Sequence, residues 1–334
     1  MPSGTRRARL ELTHLGAAGW IIGDGRTTVL LDPYLSRLRF SGRAFGAPDA
    51  VTVPGDRRPL LTMDDAPATD AAAVDAHVPR ADFILLSHSH FNHCMDMPYI
   101  ARKTGATVIG TEASATVARI GGVPEAQILT VRGGEDYEFE RLSIAVIPSL
   151  HSALSAKHYF DPGAPSRDLG RPLRLRDYVE GGTLAYLIRL GGHRILAFGS
   201  MNYIEREVQG LRPGIALIPA AWPRREIHDY TGRLLRALGR PRVVIATHWD
   251  EQGLPFGASQ AEALADARSF VAEVRAVARR SDVVVPAHFE TVAVEPSGRL
   301  ARPPLRRRPA EPAPSGPGRR VTRRSAPAGS RRSR

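Results

Sequence analysis

Eleven histidines occur in 334 residues, and three of them fall within six positions, His88-Ser89-His90-Phe91-Asn92-His93. They directly follow an apolar stretch at residues 82–86 that reads as a buried strand. In an extended segment residues i and i+2 return to the same face, so His88 and His90 can converge on one ion, and neutral imidazole is the commonest metal ligand. A third ligand has to come from elsewhere in the chain. His151 comes just past an apolar strand at 142–147, and His248 follows Val243-Val244-Ile245-Ala246-Thr247 in the same way. Any one of these residues alone would be an ordinary hydrogen-bonded side chain at a strand end; together, on one rim, they make a metal centre. Cys94 is the only cysteine, which excludes intrachain disulfides and multi-cysteine zinc ribbons. Any metal must be held by histidines and carboxylates.

The elements that would carry these residues come in two series. Short apolar strands at Leu10-Glu11-Leu12, Trp20-Ile21-Ile22 and Val29-Leu30-Leu31, separated by Gly-rich turns, form a β-meander that ends at Asp32-Pro33. Residues 34–80 read as a long irregular excursion with one short helix. From Ala81 strand and helix alternate: a strand at 83–86, a helix near 95–103, a strand at 107–109 and a helix near 113–120. Strands at 137–139 and 142–147 open the second series, a polar excursion fills 152–180, and strands return at 184–190 and 194–198. The last third alternates again, with strands at 215–218, 243–246 and 283–285 and helices around 225–238 and 259–279. Two β-rich stretches, each followed by βα units, imply two sheets face to face with helices outside.

Hydrophobic content of 43% with 24% charged residues is ordinary for a packed globular body. No apolar run reaches the 18 or more residues of a spanning helix, and Arg6-Arg7 leads into Leu10-Glu11-Leu12-Thr13-His14 rather than an apolar signal core, so a cytoplasmic protein is expected. The net charge of +12 is concentrated at one end. Residues 302–334 hold eleven Arg and one acid, Glu311, for +10, leaving +2 for everything before. Built of Arg, Pro, Gly, Ser and Ala, the tail over 301–334 is expected to be disordered. It could bind nucleic acid or an anionic surface through counterion release. The chain has 44 Arg against only Lys103 and Lys157, however, a compositional bias that weakens that partner reading.

At the histidine motif the sequence resembles the metallo-β-lactamase superfamily of hydrolases, whose signature is H-x-H-x-D-H after a strand, then a distal His, a bridging Asp and a last His. The order and spacing match over residues 9–290. Asp32-Pro33, the run from Ala81 to His88, and Thr247-His248-Trp249-Asp250 look like the branch containing ascorbate-6-phosphate lactonase and the N-acyl-phosphatidylethanolamine phospholipase D type enzymes. The resemblance implies an α+β fold, the αββα sandwich of two mixed sheets with helices outside, over residues 1–300, with the metal on the rim between the sheets. Two positions depart from the pattern. Asn92 stands where the motif has its Asp, and Ser200, after Ala197-Phe198-Gly199, stands where the bridging Asp is expected. His88, His90 and His151 remain a complete three-histidine site, a set that leaves a position for water and lowers its pKa toward about 7 on zinc. The second position would have His93 and His248 with only neutral Asn92 and Ser200 beside them. One zinc ion is therefore expected, the second weak or absent, with manganese or iron as the other candidate metals.

The resemblance thus implies a hydrolase acting on an ester, lactone, amide or phosphodiester of a small molecule. The missing carboxylates hand proton transfer to Asp32, Asp250 or His248, while Asp32, Asp96 and Asp250 are also the acids that could substitute as ligands or orient a histidine. The excursions 34–80 and 152–180 should shape the pocket, where Arg167, Arg171, Arg174 and Arg176 would suit an anionic substrate if they face inward. The competing readings are a catalytically lapsed metal- or ligand-binding protein and a nuclease with a basic tail; the nearly neutral body argues against the latter. Asn202 reads as an N-cap for a helix beginning near Ile204. His158 reads as exposed, His288 and Glu290 as supports behind the site, Cys94 as packing, and His14, His77, His193 and His228 as structural.

Overall fold

Alternation of side chains sets the first sheet. In β1 (Leu10–Gly16) Leu10 and Leu12 are buried and Glu11 is exposed. This strand pairs antiparallel with β2 (Gly19–Gly23), and β2 with β3 (Thr28–Leu31), which is the expected meander. A two-stranded ribbon, β4 (Arg39–Phe40) with β5 (Leu60–Leu61), and helix α1 (Ala71–His77) interrupt the following excursion. Asp70 caps that helix by accepting the Ala73 N–H at 3.0 Å. Strands β6 (Phe83–Leu85), β7 (Thr107–Gly110) and β8 (Ile128–Thr130) then add in parallel beyond β3. The crossovers that parallel strands require run through α2 (Phe91–Cys94), α3 (Met97–Thr104) and α4 (Glu112–Ile120). These descriptions come from a computed structural model, which describes residues 7–40, 53–160, 163, 170 and 172–301. The Arg-rich tail from 302, and Arg167 and Arg171, lie outside the described residues.

The second sheet repeats the plan. Strands β9 (Asp136–Glu138), β10 (Leu142–Pro148), β11 (Leu184–Leu190) and β12 (His193–Phe198) are antiparallel, and β13 (Ile215–Pro219), β14 (Val243–Thr247) and β15 (Asp282–Val284) continue in parallel. Helices α5 (Glu205–Val208), α6 (Tyr230–Ala237) and α7 (Ala261–Val277) make its crossovers, and β16 (Thr291–Val294) returns to pair with β1. Three apolar layers follow. Leu12, Trp20 and Leu31 from the first sheet meet Ile144, Tyr186, Leu217 and Ile245 from the second. Leu30, Ile84 and Val108, on the opposite face of the first sheet, pack on Met97, Ile100 and Val117. Leu196, Ala216 and Val244 pack on Leu234, Phe270 and Val274. The α+β sandwich with helices outside is thus the observed architecture.

One expected helix is divided. Residues 222–226 form a 3-10 turn, and α6 starts only at Tyr230, after Asp229 adopts a left-handed φ of 42°. Buried Arg224 holds the turn apart by reaching Asp266 at 2.6 Å and Glu273 at 2.9 Å on α7. The short strands β8 and β16 add to those read from the sequence. Among the described residues no helix is long and apolar enough to cross a membrane.

Hydrogen bonds across the sandwich tie the strand ends together at one rim. The Trp20 indole N–H donates to Thr247 Oγ1 at 2.8 Å, the Tyr186 hydroxyl to the Leu86 carbonyl at 2.7 Å, and the Leu184 N–H to the Ser87 carbonyl at 2.7 Å.

Candidate metal centre

Three of the strand-end histidines meet on this rim. His88 lies just beyond β6, His90 is the N-cap residue of α2, and His151 lies just beyond β10. All three are buried, and one nitrogen from each lies within 4.8 Å of the others. Their ring centroids stand 4.7–4.8 Å apart at interplanar angles of 76–87°. Steeply crossed planes of this kind let three lone pairs point at one position.

Neighbouring side chains decide which nitrogen carries the lone pair. The Ser87 hydroxyl donates to Asp32 Oδ2 at 2.6 Å, so its lone pairs receive the N–H of His88 Nδ1 at 3.0 Å. That leaves Nε2 of His88 as the unprotonated atom; it is buried and meets no hydrogen-bond partner among the described residues. His151 Nδ1 likewise donates to the Ser152 carbonyl at 3.0 Å, again freeing Nε2. Burial, reinforced by neighbouring histidines, holds His88 well below the ordinary imidazole pKa and pushes His151 down to about 4. Neutral, preoriented nitrogens in a buried triangle fit a transition-metal cation.

Asp32 stands behind this triangle. Its carboxylate accepts the Ser87 N–H at 2.7 Å and the Ser87 hydroxyl at 2.6 Å, and Oδ2 lies 3.0 Å from His93 Nδ1. Both of its oxygens are engaged by Ser87, an arrangement that suits the orienting role, one of the two expected of it. Its backbone adopts a left-handed φ of 41°, and His248, at the end of β14, one of 46°. Non-glycine residues rarely hold that conformation, and it re-aims the side chain as the strand ends. Gly199 is required for a different reason: a Cβ there would lie 1.9 Å from Ser87 Oγ and 2.5 Å from Asp32 Oδ2.

His93 sits in the single turn of α2, its ring 3.8 Å from that of His88 and 5.3 Å from that of His248. His248 is half-buried, its pKa is pushed down to about 3 chiefly by desolvation, and its Nδ1 has no hydrogen-bond partner among the described residues. Neither joins the close group of three.

The other expected site residues go elsewhere. Asn92 donates to Gln252 Oε1 at 2.5 Å. Ser200 Oγ accepts the Ser152 N–H at 2.8 Å and donates to Ser152 Oγ at 3.1 Å, so it steadies the His151 loop. Asp96 receives Leu35 N–H, Ser36 N–H and the Ser36 hydroxyl at 2.5–2.9 Å and fastens the chain after β3. Asp250, expected as a proton carrier, is enclosed by Ala17, Arg37 and His288. Asn202 is not a helix cap: α5 begins at Glu205 with Ile204 as its cap residue, and the Asn202 amide holds the His151 carbonyl at 3.1 Å. Glu290 accepts the Ala287 N–H and closes a turn.

Arg174 and Arg176 are exposed, paired with Asp64 at 3.7 and 2.6 Å rather than turned inward. Phe160 also brings the second excursion against the site, its ring 5.2 Å from that of His90. His158 is exposed, and the Cys94 thiol donates to the Ser89 carbonyl. Sequence reasoning missed Ser87, Ser152, Gln252 and Arg37. Only Ser87, a hydroxyl immediately before the first histidine, carried any local signal.

A sequence profile for the Beta-lactamase superfamily domain matches residues 11–248. A UPF0173 metal-dependent hydrolase of Myxococcus xanthus is 26% identical over 219 residues, 65% of this chain and 63% of that protein. One from Heliobacterium modesticaldum is 27% identical over 156 residues, 47% of this chain and 52% of that protein. The chain therefore spans between half and two thirds of the length of these curated relatives. Among solved structures, Igni18, a metallo hydrolase from Ignicoccus hospitalis, superposes with a TM-score of 0.51 at 17% identity, covering 86% of this chain and 99% of that one. At that identity the likeness speaks for the fold.

Proposed function

This chain belongs to the Beta-lactamase superfamily, and on that premise we propose that it is a metal-dependent hydrolase of a small ester, lactone, amide or phosphodiester, with zinc as its metal. The observation that carries this reading is the buried triangle of His88, His90 and His151, with Nε2 of His88 oriented and unpartnered among the described residues. A bound zinc ion supplies a Lewis acid and an acidified water. The chain's own residues do the rest. Asp32, through Ser87, fixes the His88 tautomer, and the Ser152 carbonyl fixes that of His151. Phe160 gives the approach beside His90 an apolar wall. His248, neutral and with an unused Nδ1, is the group left to hold a polar atom of the substrate or pass a proton.

The test is a panel of generic esters, lactones and bis-p-nitrophenyl phosphate, with zinc removed by a chelator and restored. Hydrolysis should fall on the order of 10²-fold or more on stripping, return with zinc, and stay lost in His151→Ala. Full zinc loading with no turnover of any panel member would favour the lapsed binding protein. Deleting residues 302–334 should leave turnover unchanged.

A further inference from the structure

Five histidines crowd this rim, and among the described residues only His88, His90 and His151 draw together into a close group. We infer that the centre holds a single ion, on His88, His90 and His151, and that the neighbouring position beside His93 and His248 is closed to a second by the hydrogen bonds of Asn92 and Ser200. The inference rests on the metallohydrolase reading and deepens it.

A second ion would need anionic oxygen donors, because two dications a few ångströms apart repel strongly in a buried site. None of the three nearby aspartates has a carboxylate left free to supply one. Asp32 already receives the Ser87 N–H and hydroxyl, Asp96 receives Leu35 and Ser36, and Asp250 receives Ala17, Arg37 and His288. Ser200 is engaged with Ser152. Asn92 turns its amide N–H to Gln252, and the chain around Gln252 is clamped. Arg37 donates to the Glu251 carbonyl at 2.7 Å and to the Leu254 carbonyl at 2.9 Å, Arg58 donates to the Gly253 carbonyl at 2.8 Å, and the Glu251 N–H is held by Gln260 at 2.9 Å. The carbonyls on both sides of Gln252 are thus gripped by arginines, so Gln252 cannot easily swing away from Asn92. His93 Nδ1 lies 3.0 Å from Asp32 Oδ2, and His93 with His248 supplies only two side-chain nitrogens, too few for a stable site.

The experiment is zinc stoichiometry by elemental analysis on the full chain, stripped with a chelator, reloaded with zinc sulfate and desalted. One ion per chain is expected. Two tightly held ions would overturn the inference while leaving the hydrolase reading intact, and none would remove the reading beneath it. Two single variants locate the ion without relying on turnover: His248→Ala should keep one ion and His151→Ala none. Loss of the ion from folded His248→Ala would overturn the assignment. The double variant Asn92→Asp with Ser200→Asp should rise from one toward two, and a folded double variant that stays at one would overturn the role given to those two side chains.

Discussion

Two buried polar clusters lie among the loops of this sandwich, and they differ in how completely they are satisfied. Around Asp250 both carboxylate oxygens find donors. Oδ1 accepts the Ala17 N–H at 2.8 Å, and Oδ2 accepts Arg37 Nη1 at 2.6 Å and His288 Nε2 at 2.8 Å. Burial alone would raise this carboxyl, but Arg37 and His288 hold it well below the ordinary range. Arg37 in turn lies 5.0 Å over the Phe256 ring and donates to two backbone carbonyls. In the triangle of His88, His90 and His151 the supports are equally deliberate, yet Nε2 of His88 is left without a partner among the described residues. A closed network fastens loops, whereas an open one is a seat for a ligand.

Acid should separate the two most sharply. Burial lowers His151 to about 4 and His248 to about 3. Below the unfolded value near 6.5 the unfolded chain takes up protons that these folded imidazoles refuse, so stability must fall as pH falls from about 6.5 toward 4. The Asp250 carboxylate keeps its charge through that window and contributes until the pH drops below its unfolded value near 4. Denaturant melts of the zinc-free protein between pH 7.5 and 4 would show this, and a flat profile would contradict it.

Next in size is Arg37→Met. Removing one partner strands a buried carboxylate, and such losses cost about 3–5 kcal/mol. Urea unfolding should register that drop while zinc capture by the triangle persists; loss of zinc binding in the folded variant would mean that the clusters are not separate. Smaller again is Gly199→Ala, whose methyl group would collide with Ser87 and Asp32. Overpacking of this kind costs about 1–3 kcal/mol. Because the displaced groups orient His88, zinc affinity should weaken about 10–100-fold as well. Unchanged affinity by competition with a chromogenic chelator would detach Ser87 and Asp32 from the metal site.

The triangle was legible because its signals are local. An apolar run followed by His-x-His states both the strand and its purpose, and His151 repeats the cue at the end of another strand. The sandwich was legible for a similar reason: strand–helix alternation is written in hydrophobic periodicity. The fate of Asp250 was not, since its partner Arg37 lies 213 positions away and no periodicity pairs them. Asn202 was misread because a polar residue before a short helix resembles a cap, whereas the fold uses its amide to hold the His151 carbonyl. Gln252 had no signal at all; its meaning depends on two arginines from a different excursion.

Helix α2 is one turn long, opening on His90 and carrying His93, with Cys94 N–H and Met95 N–H bonded back at 3.1 Å. A turn so short cannot nucleate unaided and draws its order from whatever anchors its ends. On the proposed metal reading, a cation held through His90 would also anchor the start of this turn, so loading of the site and winding of the turn would support one another.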